Sequence, residues 1–434
     1  MRIHIITLGC PKNEVDSEMM AVLLTQAGHQ TVAERERADV LLVNTCGFIE
    51  PARQEAYELL DELASSKRSR QSLVVTGCLA QRRCDEICAR FPVDAVVGAQ
   101  AWPRIVEVVG QLERRQRRVV ALTPTAANLV ASVQRHATRG RTAYLKIADG
   151  CDAACAYCAI PLIKGEQRSK PAADILREAR ELAAEDVAEL VLIAQDTTAY
   201  GRDLPSAPDL AALVRRLDAE VKGLAWQRLL YAYPNHVTPE LVAAMAETPS
   251  VCHYLDVPLQ HGDPDVLRRM RRPHNVQQIH DMLGALRQAM PDVVLRSTFI
   301  VGFPGETEHE FQGLLDVLTE VRFDKMGVFQ FSPEEGTPAY DMPGQVAAEL
   351  KQERYDRAMT LQQGISAEIN AGLIGQRLEV LIEAVEDGLS VGRSYRDAPE
   401  IDGVVIIPAE LEEGAFVEVE VTAADEYDLT AQPL

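Results

Sequence analysis

Short apolar runs alternate with amphipathic helical patterns along most of the chain. In the first 122 residues, each apolar run is short and has the residue pattern of a β-strand, and it is followed by apolar residues at helical spacing. Strands are predicted at 2–8, 38–43, 73–76 and 94–97, and helices at 14–27, 51–65, from 81 and at 102–116. Strands that alternate with helices indicate a parallel, doubly wound sheet.

The middle of the chain repeats the strand–helix order about six times, which predicts a partial barrel. Its strands are predicted at 144–148, 189–193, 226–231, 254–257, 292–300 and 325–331, and its helices at 174–184, 208–220, 276–290 and 306–321. A long helix over 351–370 is expected to close this barrel. The active sites of such barrels lie at the carboxyl ends of the strands.

After Gly375 the pattern changes to short alternating strands, which predict a small all-β module. These strands are predicted at 378–384, 389–393, 404–407 and 416–422. The chain is therefore predicted to be α/β, with an N-terminal doubly wound domain, a linker, a partial (β/α)6 barrel and the β-module. The expected boundaries are 1–122, 123–141, 142–366 and 367–434.

The charge of the chain is unevenly distributed. Its negative net charge argues against binding of nucleic acid through the overall electrostatic field of the protein. The net charge is −21, and residues 367–434 alone carry 16 acidic and three basic side chains. No apolar run approaches the ~20 residues of a membrane span. The N-terminal run predicts a strand rather than a signal peptide, and nine cysteines in motifs fit metal ligation in a reducing cytoplasm.

Cys151, Cys155 and Cys158 stand in one short loop after the strand predicted at 144–148. Three thiolates at this spacing can hold three irons of a four-iron, four-sulfur cluster and leave one iron open for a reactant. The alternative is a structural zinc site, which prefers four ligands where the sequence offers no fourth nearby.

Cys10, Cys46 and Cys78 each follow the carboxyl end of a predicted strand. Such ends share one edge of a parallel sheet, where open α/β folds bind ligands, so the three thiols are expected to converge on a second cluster. The alternative is three small buried apolar residues. The remaining cysteines are interpreted as packing residues: Cys84, Cys88 and Cys252.

Polar and glycine-containing turns follow other strands of the predicted barrel. They are Gln195–Asp196, Gln260–His261 and the turn that holds Gly302 and Pro304. Glycine lets a backbone approach a ligand closely, and all three turns are expected to face one cavity together with the cysteine loop.

The whole chain resembles the methylthiotransferase family of the radical S-adenosylmethionine (SAM) superfamily. The runs that carry the resemblance are TLGCPKNEVDSE, NTCGFIEPA, VTGCLAQR, the CxxxCxxC loop with CAIP, IAQDTTAYG, YLDVPLQH, TFIVGFPGETE and FQFSPEEGTPA. The resemblance implies an auxiliary-cluster domain, a radical SAM partial barrel and a C-terminal TRAM β-barrel. It implies 4Fe–4S clusters on two sets of ligands: Cys10, Cys46 and Cys78 for the auxiliary cluster, and Cys151, Cys155 and Cys158 for the SAM cluster.

The family's chemistry implies that an unactivated C–H becomes C–SCH3, with SAM used twice. One SAM methylates a sulfur on the auxiliary cluster, and the other is cleaved reductively to a 5′-deoxyadenosyl radical that abstracts the hydrogen. An electron donor of the flavodoxin or ferredoxin type is also implied. The expected SAM contacts are Tyr157, Gln195, Asp196, Gln260, Gly302 and Pro304.

The runs GCPKN, VDSE and FSPEEGTPA resemble the branch that modifies the β-carbon of an aspartate in the twelfth protein of the small ribosomal subunit. The acidic C-terminal module agrees with this branch, because it would repel RNA and attract a basic ribosomal protein. An acidic surface that only serves solubility is the alternative explanation. Two other functions remain open: a tRNA adenosine methylthiotransferase, and a two-cluster electron carrier or redox-sensing binding module.

The chain departs from the family pattern after the cysteine loop. Lys164 and Lys170 stand where relatives commonly carry arginine. Because lysine cannot form the two-pronged contact of a guanidinium, planar carboxylate binding at these two positions is in doubt.

Overall fold

The N-terminal part of the chain is a six-stranded parallel sheet in the order β2-β1-β3-β4-β5-β6. The computed structural model describes residues 1–123, 133–205 and 207–434. The strands are β1 Arg2–Thr7, β2 Gln30–Thr31, β3 Val40–Thr45, β4 Ser72–Gly77, β5 Ala95–Gly98 and β6 Val119–Ala121. The helices are α1 Pro11–Gln26, α2 Glu50–Ser66, α3 Cys78–Arg82, α4 Cys84–Arg90 and α5 Ile105–Glu113. Strands β3 and β4 are buried at every position, as parallel strands covered on both faces should be.

The central part is an open parallel sheet in the order β7-β10-β11-β12-β13-β14, whose two edge strands do not pair with each other. Its strands are β7 Thr142–Lys146, β10 Glu189–Ile193, β11 Trp226–Leu229, β12 Val251–Asp256, β13 Val294–Val301 and β14 Lys325–Gln330. Between β7 and β10, the short strands β8 Ala148–Asp149 and β9 Arg168–Ser169 form a separate antiparallel pair. The helices are α6 Ile160–Lys164, α7 Ala172–Ala183, α8 Leu210–Glu220, α9 Pro239–Glu247, α10 Pro264–Arg269, α11 Val276–Ala289, α12 Glu308–Val321 and α13 Ala348–Ala371. Six consecutive parallel strands with covering helices form the predicted partial barrel.

The C-terminal part is a closed five-stranded barrel in the order β15-β16-β17-β19-β18. Its strands are β15 Arg377–Glu386, β16 Leu389–Ser394, β17 Val405–Ile407, β18 Phe416–Ala424 and β19 Leu429–Pro433. The last strand, β19, was missing from the sequence prediction. It closes the barrel by pairing with both β17 and β18.

The predicted linker lies partly outside the described residues, at 124–132. Its described end packs tightly: Arg135 is 1% exposed, and its Nη2 donates to Glu18 Oε2 at 2.6 Å. Arg139 donates to Glu14 Oε2 and to Glu400 Oε1, both at 2.7 Å. This stretch therefore ties α1 to the C-terminal barrel.

A buried ion network joins the C-terminal barrel to the central sheet. Glu189, at the start of β10, accepts from Arg228 Nε and from Arg393 Nη2, each at 2.7 Å. All three side chains are at most 2% exposed. Desolvation raises the pKa of Glu189, but Arg228 and Arg393 outweigh it and hold that pKa at about 2.

Replacing Glu189 with glutamine should lower the free energy of unfolding by about 3–5 kcal/mol, because two buried guanidiniums lose their shared carboxylate. The ordinary glutamate pKa is 4.5, so the carboxylate's contribution is complete above that pH and is lost as the pH falls toward 2. Thermal unfolding of the wild type and the variant should be followed from neutral to acidic pH. The difference between their free energies of unfolding should become smaller as the pH falls.

The matched control is Glu247→Gln, which breaks an exposed pair with Arg215 at 3.3 Å. This substitution should lower the free energy of unfolding by less than about 1 kcal/mol. An equal decrease in the free energy of unfolding in the two variants would contradict the assigned role of this network. So would a decrease in Glu189→Gln that does not depend on pH.

Candidate functional site

Three cysteines lie at the carboxyl ends of three adjacent strands. Cys10 follows β1, Cys46 follows β3 and Cys78 follows β4, and these strands are neighbours in the sheet. Neighbouring strands are about 4.8 Å apart, so the three cysteines share one edge. Gly9 has φ 93°, and a Cβ there would lie 2.6 Å from Cys46 Cβ, so only glycine lets the Cys10 loop come this close.

The chemistry of these thiols fits a metal cluster. Burial raises the pKa of Cys46, and it raises that of Cys78, where Cys10 and Cys46 add to the effect and Lys164 opposes it. A buried thiol keeps its proton until a metal displaces it. No three His, Cys, Asp or Glu side chains in the described ranges are placed to hold a single metal ion. A four-iron cluster holds its cysteines on separate irons, so that finding concerns single ions only.

Cys151, Cys155 and Cys158 lie in the loop between β8 and α6. Backbone hydrogen bonds hold this loop to three separate segments: Cys151 N donates to Gly165 O at 3.0 Å, Ala156 N to Met270 O at 2.9 Å, and Ala339 N to Ala156 O at 2.8 Å. The loop is therefore fixed by the barrel fold and not only by its own sequence.

Burial raises the pKa of Cys151 to about 11 and that of Cys158 to about 12. Arg272 opposes the shift at Cys158. Its Nη1 lies 3.9 Å from Cys155 Sγ, and its guanidinium lies 4.2 Å from the centroid of the Tyr233 ring. A buried cation beside three closely spaced thiols favours the thiolate forms that an iron–sulfur cluster requires.

The two cysteine groups adjoin through a small apolar contact. Cys78 packs with Ala99, Ala159 and Ile163, and Ala159 is the residue directly after Cys158. Helices α3 and α6 meet at this contact, so the edge that carries the N-terminal cysteines adjoins the cysteine loop of the barrel.

Two lysines and two aspartates alternate beneath this contact. Lys164 Nζ lies 3.0 Å from Asp149 Oδ2 and 3.3 Å from Asp16 Oδ2, and Lys146 pairs with the same two carboxylates. Desolvation lowers the pKa of Lys164, but Asp149 and Asp16 raise it well above its ordinary value. Lys170, the other lysine at a position where arginine is common, lies 2.8 Å from both carboxylate oxygens of Glu178. Both lysines therefore bind carboxylates of the protein itself.

Gln195 and Asp196 lie beside the cysteine loop, as predicted for the end of β10. Gln195 Nε2 donates to Asp149 Oδ1 at 2.8 Å, and Asp196 Oδ2 lies 2.8 Å from His236 Nδ1. Asp196 borders a cavity of about 250 Å³ that is also lined by Asp152 of the cysteine loop. This cavity is large enough to receive part of a ligand next to that loop.

Gln260 and Gly302 do not line this cavity. Gln260 bridges to β13, with its N donating to Thr298 O at 2.8 Å. Gly302 has φ 73°, and a Cβ there would lie 2.3 Å from Lys351 Cγ. A side chain of α13 thus occupies the space that a Cβ would need, so packing also requires glycine here, and the expected approach of the backbone to a ligand stays a prediction.

The other two expected SAM contacts are Tyr157, a residue of the cysteine loop itself, and Pro304. Tyr157 packs against the apolar cluster that contains Phe303, and burial raises its pKa well above the ordinary value while Arg272 opposes the shift. Pro304 is buried in the next turn. All six SAM contacts stay predictions.

Sequence reasoning missed Lys12, which is 8% exposed and stands two residues after Cys10. Its Nζ lies 3.1 Å from the centroid of the Tyr231 ring, across the contact between the N-terminal sheet and the barrel. The only signal in the sequence is a lysine between a strand-end cysteine and a helix. The burial of Lys12 follows from the start of α1 at Pro11, which makes Lys12 part of that helix.

Three sequence families match successive parts of the chain. The uncharacterized protein family UPF0004 matches residues 2–98, the radical SAM superfamily matches residues 145–318, and the TRAM domain matches residues 374–434. These matches fall on the N-terminal sheet, the central sheet and the closed barrel, respectively.

Curated relatives match the chain over its full length. A protein of Chloroflexus aurantiacus named ribosomal protein uS12 methylthiotransferase RimO is 46% identical, with 100% of both chains covered. Proteins with the same name from Roseiflexus sp. and Synechocystis sp. are also 46% identical, covering 99% and 98% of this chain and 96% of each relative.

Solved structures with a similar fold are more distant. The radical S-adenosylmethionine methyltransferase TsrM of Kitasatospora setae has a TM-score of 0.59 at 13% identity, covering 90% of this chain and 77% of that one. OxsB, a cobalamin-dependent S-adenosylmethionine radical enzyme, has a TM-score of 0.55 at 11% identity, covering 84% and 56%. At these identities the likeness concerns the fold alone.

Proposed function

The chain belongs to the radical SAM methylthiotransferase family whose members are named for ribosomal protein uS12, and from that premise we propose its reaction. The enzyme transfers a methylthio group to the β-carbon of an aspartate in this ribosomal protein. The observation that carries the proposal is the full-length identity of 46% to relatives with that name. The runs that separate this branch from the tRNA branch, GCPKN and FSPEEGTPA, support it.

As a radical SAM protein the chain uses SAM and a 4Fe–4S cluster. We assign that cluster to Cys151, Cys155 and Cys158, and an auxiliary 4Fe–4S cluster to the other set of thiols: Cys10, Cys46 and Cys78. When bound, the clusters supply the electron that cleaves SAM and the sulfur that is transferred. A flavodoxin- or ferredoxin-type protein is the proposed source of the electron.

The side chains around the clusters have separate tasks in this proposal. Arg272 donates toward Cys155 and keeps positive charge beside the SAM cluster. The contact of Cys78 with Ala159 would hold a group bound to the N-terminal cysteines next to one bound to the cysteine loop. The N-terminal sheet packs against the barrel, which would exclude water from the site between them.

The surface of the C-terminal barrel supports a basic protein as the substrate. Arg393 and Arg396 are 2% and 7% exposed and pair with Glu189 and Asp324 of the central part. They therefore add little to the surface field, and neither do Asp397 and Asp402, which are buried in pairs with Lys325 and Arg296. The exposed glutamates on the strands and turns of this barrel include Glu410, Glu412, Glu413 and Glu418. Such a field repels phosphate, so this barrel is not proposed to bind RNA.

None of the described helices is long and apolar enough to cross a membrane. Because the proposed substrate is a ribosomal protein, we place the enzyme in the cytoplasm.

The test offers two substrates to the reconstituted full-length enzyme with SAM and a reductant. One is a peptide that spans the target aspartate, and the other is tRNA that lacks methylthioadenosine. Tandem mass spectrometry should find a methylthio group on the β-carbon of the aspartate and none on tRNA. Methylthioadenosine in tRNA with an unmodified peptide would reject the proposed substrate and leave the radical chemistry standing.

A further inference from the structure

Lys12 is a buried cation without an acidic partner. The neighbouring buried lysines, Lys146 and Lys164, are each paired with Asp16 and Asp149. Lys12 is 8% exposed, and its ammonium forms no hydrogen bond or ion pair with any residue in the described part of the chain. Its only polar interaction there is with the face of the Tyr231 ring, 3.1 Å from Nζ to the centroid. Buried charges are normally paired, so this one points to a ligand.

The carboxylates that act most strongly on the charge of this lysine, Asp256 and Asp149, are already paired. Asp256 accepts from Arg296 Nη1 at 3.1 Å and from Tyr231 N at 3.1 Å. Asp149 is held by Lys164 at 3.0 Å. A carboxylate for Lys12 must therefore come from outside the chain.

The location of Lys12 connects it to the reaction. It lies in the first turn of α1, two residues after Cys10, at the edge shared by the three N-terminal cysteines. Tyr231, beneath the ammonium, comes from the carboxyl end of β11 and has φ 65°, a left-handed conformation that a bulky side chain rarely adopts. The lysine and the tyrosine thus meet where the barrel mouth faces the auxiliary-cluster site.

We propose that the Lys12 ammonium binds the side-chain carboxylate of the target aspartate and holds its β-carbon beside the Cys10 loop. The inference rests on the proposed function, because the carboxylate is that of the proposed substrate. The β-carbon is bonded directly to the carboxylate carbon, so fixing the carboxylate fixes the reacting atom. Lys12 is in this account the residue that selects aspartate over an uncharged side chain.

The test compares two peptides that differ only at the target position, one with aspartate and one with asparagine. The two side chains have nearly the same shape, so a preference reports charge recognition. The wild-type kcat/KM should be at least ~30-fold higher for the aspartate peptide, and Lys12→Met should lower that value by a similar factor. The variant should process the asparagine peptide at close to the wild-type rate, and Lys12→Arg should retain part of the preference.

Lys222→Met removes one exposed lysine and serves as the charge-matched control. Iron content is measured on every variant to check cluster loading. Equal processing of both peptides by the wild-type enzyme would overturn the inference, whether or not the variants load iron. An unchanged preference in Lys12→Met would also overturn it. Failure of the wild type to modify either peptide would instead reject the proposed function.

Discussion

Replacing Cys151, Cys155 and Cys158 with alanine should leave the protein with about four irons instead of about eight, and with no measurable SAM cleavage. Two four-iron clusters account for the eight irons, and this loop holds the one with the iron left open for SAM. The loop is anchored by backbone bonds to Gly165, Met270 and Ala339, so the fold should survive. Iron analysis and the yield of 5′-deoxyadenosine measure the two effects.

The control removes the same number of thiols elsewhere. Alanine at the three cysteines interpreted as packing residues should leave about eight irons and the wild-type rate of SAM cleavage: Cys84, Cys88 and Cys252. A loop variant that still cleaves SAM would show that the radical cluster lies somewhere else.

Replacing Cys10, Cys46 and Cys78 with alanine should separate the two uses of SAM. The reductive cleavage of SAM should persist, because the Cys151 loop is untouched. Methylthio transfer to the peptide should vanish, because the sulfur donor has lost its ligands. About four irons should remain.

Product analysis distinguishes this outcome from general damage. The variant should form 5′-deoxyadenosine without a methylthiolated peptide, whereas the loop variant should form neither product. Survival of methylthio transfer after loss of all three thiols would make these cysteines small packing residues, which is the alternative that the sequence left open.

The arrangement of the cysteines was predictable from the sequence because it follows from strand order. Each of Cys10, Cys46 and Cys78 ends an apolar run, and parallel strand ends must share one edge. The spacing within the Cys151 loop required no tertiary information at all. The domain boundaries proposed at 122, 141 and 366 stay predictions.

Details that depend on side-chain packing could not be predicted. The sequence predicts that Gly302 lets the backbone approach a ligand, but it does not show that Lys351 of α13 fills the space where a Cβ would lie. Arg393 and Arg396 counted as surface charge in the sequence, but they are buried in ion pairs with the central part. Neither contact can be recognised from a pattern in the neighbouring sequence.

The burial of Lys12 could not be predicted from the sequence, because it depends on the residue at which α1 begins. The apolar spacing predicts a helix from Glu14, whereas α1 begins at Pro11, since proline suits the first turn of a helix. Lys12 is therefore fixed on a helix against Tyr231 and does not sit in a polar turn. The sequence could not show which carboxylates bind Lys164 and Lys170, because these lie on other elements of the fold.

The most direct measurement is the mass of the ribosomal protein in cells from which this gene has been deleted. The account predicts that the target aspartate is unmodified there, that the wild-type gene restores the methylthio group, and that tRNA adenosine modification is the same in both strains. A ribosomal protein that stays methylthiolated after the deletion, or a loss of methylthioadenosine from tRNA instead, would contradict it.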